Sequence, residues 1–183
     1  MRYHERDICL FDTFFGLNNA KRKTLVPRIE HRSAFTVLGI QSRVKRGSET
    51  PELFAGIWEK FENRRESIES LSTGTAYYGV NFPTGMEEVS NYLAGMVVAD
   101  NAEVPVGLVR RRVQGSDYAI FECPVEGIGE CYQYIFSRWL PDAPLSFNPE
   151  NPVFEEYPGK DTKLPVRVHI PVTGHEQTTI RQG

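Results

Sequence analysis

From Ser33 to Ile40 the chain is dense in β-branched and aromatic residues (Phe35, Thr36, Val37, Ile40), which predicts a strand. The spacing then turns helical. Leu53, Phe54, Ile57, Trp58 and Phe61 fall on one helical stripe, opposite Glu59, Lys60 and Arg64. The start of that helix is marked: Thr50 can cap, Pro51 suits the first helical position and Glu52 favours the positive end. Two further strands are predicted at residues 76–80 and around 92–98. The order then repeats. A strand at residues 116–121 precedes a second stripe of Ile128, Cys131, Tyr132, Ile135, Phe136 and Trp139, which Pro141 is expected to stop. Strands at residues 153–157 and 166–170 close the second half.

The pattern is β-α-β-β used twice, at a period of roughly 80 residues. It predicts an α+β fold of duplicated β-α-β-β modules with pseudo-twofold symmetry, in a joined antiparallel sheet with helices on one face. The module boundaries fall near 27–105 and 106–172. Residues 1–26 form an N-terminal extension in which Ile8, Phe11 and Phe15 hint at a short amphipathic helix, and residues 173–183 a polar tail. The helix-free sheet face is expected to curve between the halves, and the groove at that junction is the natural ligand site.

Composition narrows the functional classes. A formal net charge of -3 leaves no overall basic footprint for nucleic acid. The run Arg110-Arg111-Arg112 reads as a solvated strand edge. No basic-then-apolar leader is visible and no apolar run approaches the ~20 residues that span a bilayer, so a cytoplasmic, membrane-free protein is expected. Cys9, Cys123 and Cys131 form no CxxC pair, and His4, His31, His169 and His175 are scattered, so neither a disulfide framework, a metal site nor a cofactor is expected. Gly127-Ile128-Gly129 lacks the third glycine of a phosphate loop and reads as helix entry. No Ser-His-Asp or Cys-His arrangement stands out. The 11 Phe, 8 Tyr and 2 Trp supply either a large core or a ring-lined pocket.

The candidate chemistry lies at Phe154-Glu155-Glu156-Tyr157. Side chains two apart on a strand share a face, so Glu155 and Tyr157 project together while Phe154 and Glu156 project oppositely. A carboxylate beside an aromatic ring suits a lipophilic cation if both face a cavity. The residues alone favour a solvated or salt-bridged strand glutamate over a pocket one. Trp58 and Trp139, on the helix stripes, are core or pocket residues. Tyr92 precedes Gly95, where close approach of another group is allowed. Tyr118 and Phe121 alternate, so only one of them can face a groove. His169 is a satisfied sheet histidine or a pH-sensing one.

These segments, with Pro27-Arg28-Ile29-Glu30, Ile57-Trp58-Glu59-Lys60-Phe61, Tyr92-Leu93-Ala94-Gly95, Tyr118-Ala119-Ile120-Phe121 and Val168-His169-Ile170-Pro171-Val172, resemble the GyrI-like effector-binding domains. Such domains form the ligand-sensing half of AraC-type and MerR-type multidrug regulators. The resemblance implies twofold-related β-α-β-β modules, a pocket for hydrophobic and often cationic small molecules, and Glu155 as its acid beside Tyr157. With Glu155 and Tyr157, the candidate ligand-binding set takes in Tyr92, Trp58, Trp139, Tyr118, His169 and Arg167. Where multidrug-binding relatives can carry a second acid and a tyrosine, this chain has Arg167 and His169. Arg167 is thus a candidate partner that would neutralise Glu155. The expectation is a stand-alone binding protein for sensing or sequestering drugs or toxins. No room is seen for a DNA reader, and a homodimer is compatible with the reading. Two alternatives come from other branches of the family: a hydrolase of cyclopropane-bearing toxins using Glu155, and a protein-binding gyrase inhibitor. Binding is favoured over catalysis.

Overall fold

The computed structural model describes residues 25–45, 48–86, 88–159 and 164–174. The expected helix at Ile8, Phe11 and Phe15, and the polar tail, lie outside the described residues. Strand β1 (Arg28–Arg32) precedes β2 (Phe35–Lys45), helices α1 (Pro51–Glu62) and α2 (Arg65–Glu69), and strands β3 (Ser72–Pro83) and β4 (Val89–Val98). The second half runs β5 (Val109–Val113), β6 (Ser116–Cys123), a 3-10 turn (Val125–Gly127), α3 (Ile128–Tyr134), β7 (Leu145–Phe147), β8 (Val153–Tyr157) and β9 (Val166–Gly174). Helix α1 starts as its sequence directs, with the Thr50 hydroxyl accepting from the Leu53 amide at 3.2 Å. Helix α3 continues through a π turn (Ile135–Trp139) into a last turn (Leu140–Asp142), so Pro141 sits inside the final turn and the helix ends just beyond it.

The nine strands among the described residues join one sheet, in the order β1-β6-β9-β8-β3-β4-β2-β5, with β7 beside β9. The two modules meet at the antiparallel pair β3 and β8, where Gly79 faces Glu155 and Tyr77 faces Tyr157. Each module keeps the same internal order, first strand, third strand, second strand. The flanking strands are exchanged: β1 precedes β2 in the chain but pairs with β6, and β5 precedes β6 but pairs with β2. This exchange forces a curl. In a flat sheet β1 and β2 would be about 29 Å apart, six strand spacings. The step from Arg32 to Phe35 spans at most about 11 Å. The link from β5 to β6 imposes the same closure from the other edge.

The curl decides where space remains. On the helix-bearing face each module has its own core: Leu38, Ile57, Phe61, Ile68 and Met96 under α1 and α2, and Phe121, Cys131, Ile135, Val168 and Ile170 under α3. The helix-free face carries a third core shared by both modules, built from Val37, Tyr78, Val80, Leu93, Tyr118, Ile120 and Phe154. The groove expected on that face is therefore absent. Curling turns the face inward and apolar side chains from both halves fill it. Space is left on the other side, where the paired strands β3 and β8 run between α1 and α3. The edge strand β5 carries Arg110–Arg112; Arg112 pairs with Asp100, and Arg111 lies 4.4 Å over the Phe82 ring.

Candidate functional site

A cavity of about 400 Å³ opens between α1 and α3 above the β3–β8 junction. Module one contributes Phe54 and Trp58 from α1, Asn81 from β3, and Ser90 and Tyr92 from β4. Module two contributes Ile128, Gly129 and Tyr132 from α3, and Glu155 and Tyr157 from β8. Ring contacts fix the walls. Trp58 meets Tyr157 edge-to-face at 5.1 Å between centroids, and Phe54 meets Tyr92 at 4.9 Å.

At the floor, Glu155 is held by neutral donors. The Tyr92 hydroxyl donates to its Oε2 at 3.2 Å, and the Tyr132 hydroxyl donates to its Oε1. The Trp58 indole N–H donates in turn to the Tyr92 oxygen at 3.3 Å. Gly79 is what lets this network close. It lies opposite Glu155, and a Cβ there would overlap both the Tyr92 hydroxyl and Glu155 Oε2. Burial removes water from the carboxylate and pushes Glu155 up to about 7, with the Tyr132 and Tyr92 hydroxyls pulling the other way. Burial also pushes the Tyr92, Tyr132 and Tyr157 hydroxyls upward, and the nearby Glu155 carboxylate adds to this, so all three stay neutral. Among the described residues, the ionisable groups lining the cavity are tyrosines and the acids Glu49, Glu126 and Glu155, with no Lys, Arg or His. The site can offer a negative charge behind aromatic faces.

The structure gathers Glu155, Tyr157, Tyr92 and Trp58 around this cavity and places the other expected residues elsewhere. Trp139 packs edge-to-face on Phe121 at 5.0 Å, against the module-two core and outside the cavity lining. Tyr118, His169 and Arg167 project to the filled inner face, by strand parity. Glu155 is opposite Val168, so Arg167 and His169 point the other way. The expected Arg167–Glu155 pair is therefore not formed. Arg167 Nη2 instead bonds Glu156 Oε1 at 2.6 Å, and Arg32 lies 3.6 Å from Oε2 of the same residue. His169, fully buried, stacks on Phe154 at 4.2 Å. Its Nε2 lies 3.1 Å from Glu156 Oε2, but without hydrogen-bond alignment. Burial lowers the imidazole's proton affinity and keeps the ring neutral. Sequence reasoning missed Tyr132, Phe54 and Gly79 as site residues. Tyr132 was read as core, although a tyrosine on an apolar stripe must still seat its hydroxyl. A glycine inside the aromatic strand at 76–80 was the other available signal.

Among the described residues no three His, Cys, Asp or Glu side chains form a metal-binding group, and no helix is long and apolar enough to cross a membrane.

A duplicated module that curls one sheet around a shared core, with a cavity between α1 and α3, defines a small-molecule-binding domain of the GyrI-like type. The chain belongs to the integron-associated effector binding protein family (Cass2), whose model matches residues 28–172. Solved structures share the fold at low identity. SAV2435 bound to tetraphenylphosphonium is 17% identical, with a TM-score of 0.63 over 81% of this chain and 94% of that one. A putative transcription regulation protein from Staphylococcus aureus MU50 is 19% identical, with a TM-score of 0.62 over 82% of this chain and 100% of that one. An integron cassette protein from Vibrio cholerae is 17% identical, with a TM-score of 0.59 over 82% and 100%. No curated protein matches the chain in sequence.

Proposed function

We propose that this protein binds lipophilic, aromatic cations in the cavity between α1 and α3, as a sensor or sink for such compounds. The observation that carries the reading is Glu155: a carboxyl group 8% exposed, held by neutral tyrosine hydroxyls with no cation beside it among the described residues, inside a ring-walled space. A buried carboxylate without a cationic partner is costly, and an arriving cation supplies the missing charge. The surrounding rings attract the same ligand through their quadrupoles. The binding of tetraphenylphosphonium by SAV2435, which shares the fold, supports this ligand class.

Tetraphenylphosphonium titration followed by fluorescence tests the reading. Trp139→Phe leaves Trp58, in the cavity wall, as the reporter, since the chain has 2 Trp. Saturable quenching is expected. Glu155→Gln should weaken the cation by about 1 to 3 kcal/mol while barely changing a neutral triphenyl analogue. Equal losses for both ligands would remove charge recognition from the proposal.

A further inference from the structure

Asn81 lies two residues beyond Gly79 on β3, so its side chain shares the cavity face with the glycine. Gly79 stands opposite Glu155, which makes Asn81 the diagonal neighbour of Glu155 across the module junction, about 7 Å away between backbones. On its other side Asn81 pairs with Tyr92 of β4. Asn81 lines the cavity, yet its amide oxygen is buried and has no hydrogen-bond partner among the described residues. The Tyr92 hydroxyl, across the strand pair, donates to Glu155 instead. A buried acceptor without a donor is unfavourable, and folded proteins leave few of them. The last torsion of an asparagine side chain is broad, so this oxygen can turn toward a donor that arrives in the cavity.

We infer that the cavity selects cations that carry N–H groups, amidinium or primary ammonium ions on an aromatic frame, because Glu155 and Asn81 together accept from them. The inference narrows the ligand class of the proposed site and rests on the cavity being the place of ligand binding. A phosphonium or quaternary ammonium ion can match the charge of Glu155 but leaves the Asn81 oxygen unmet. An amidinium answers both acceptors, since its planar head carries N–H bonds on two nitrogens. One nitrogen donates to the carboxylate and the other to the amide oxygen, across a gap that diagonal strand neighbours can bridge. The two acceptors therefore read different properties: Glu155 reads charge, and Asn81 reads the presence of a donor hydrogen. A site built around an acceptor rejects ligands that lack the donor, because the acceptor then stays unpaired in the complex. The aromatic walls make no such distinction, since their rings attract any cation.

Calorimetric titration of the full chain with biphenyl-4-carboxamidine and its fully N-methylated form tests this at equal charge. The wild type should bind the N–H-bearing amidinium about tenfold more tightly than the methylated one. Asn81→Leu removes the oxygen at similar volume, and the ratio of the two affinities should shrink by about the same tenfold. Asn81→Asp keeps an oxygen in that place and should keep the ratio. Leucine buries no unpaired acceptor, so Asn81→Leu should also melt no lower than the wild type. Equal binding of the two amidines by the wild type, or a ratio that Asn81→Leu leaves intact, would overturn the inference. A lower melting temperature for Asn81→Leu would show that the amide braces the fold, and would overturn it too. Failure of both amidines and of tetraphenylphosphonium to bind would instead overturn the proposed function, because donor selectivity is read only as a ratio between cations that bind.

Discussion

Glu155 and Glu156 are neighbours on β8, 8% and 6% exposed, and they titrate in opposite directions. Burial pushes both upward. For Glu155 the opposition comes from two phenol hydroxyls and a backbone hydrogen bond, all neutral, and the group ends at about 7. For Glu156, His169, Arg167 and Arg32 outweigh burial and hold it below the usual carboxylate range. Depth therefore does not distinguish them. What differs is whether the protein itself matches the charge. Glu156 is matched from within and ties β1, β8 and β9 together on the inner face of the curl. Glu155 has no matching charge among the described residues, which is what the proposed cation site requires.

Breaking each glutamate separately should expose that difference. Glu156→Ala leaves Arg167 and Arg32 without their buried partner, and should cost about 4 kcal/mol in urea unfolding at pH 7. Comparable losses for Glu156→Ala and Glu155→Gln would erase the distinction between the two. The sign for Glu155 is opposite. Its folded-state value is raised, so both states are protonated below about pH 4.5, and ionising the group costs stability as pH climbs toward 7. Glu155→Gln should therefore match the wild type near pH 4.5 and exceed it by about 3 kcal/mol above pH 7. Glu156 contributes in the other window, stabilising above its unfolded value and failing as pH falls through its folded one. Ligand binding sharpens the contrast. Cation affinity should rise about tenfold per pH unit up to pH 7 and level off above it, and Glu155→Gln should flatten that profile.

Much of this was legible in the chain. Thr50-Pro51-Glu52 placed α1, and the repeated strand–helix order gave the duplication. Period-two alternation put Glu155 and Tyr157 on one face and Phe154 and Glu156 on the other. The unread part depends on pairing across long separations. Only the register of β8 against β9 shows that Val168, not Arg167, stands opposite Glu155. Only the exchange of β1 and β5 shows that the sheet curls and fills its helix-free face, which moves the cavity to the helix side. The short β1 and β5, at residues 28–32 and 109–113, lack the apolar runs that reveal the longer strands. Trp139 illustrates a further limit. Its helical stripe is continuous in sequence with Tyr132, but the intervening π turn belongs to tertiary packing and carries no local signal.

The finest difference between the glutamates is the identity of the donors. Tyr132 and Tyr92 lower the Glu155 value only by hydrogen bonding, so removing one hydroxyl should let burial push the carboxyl higher still. Tyr132→Phe keeps the ring and its packing on Phe136, whose centroid lies 6.4 Å away. The midpoint of the pH profile for tetraphenylphosphonium should then move upward by about half a pH unit, with the plateau affinity at high pH nearly unchanged. Tyr78→Phe, beside Glu156 on the inner face, should leave that midpoint where it was. A downward shift for Tyr132→Phe would mean that its hydroxyl does not support the ionised carboxylate. The two glutamates would then differ through their cations alone, and the aromatic floor would be a wall rather than part of the charge-recognition device.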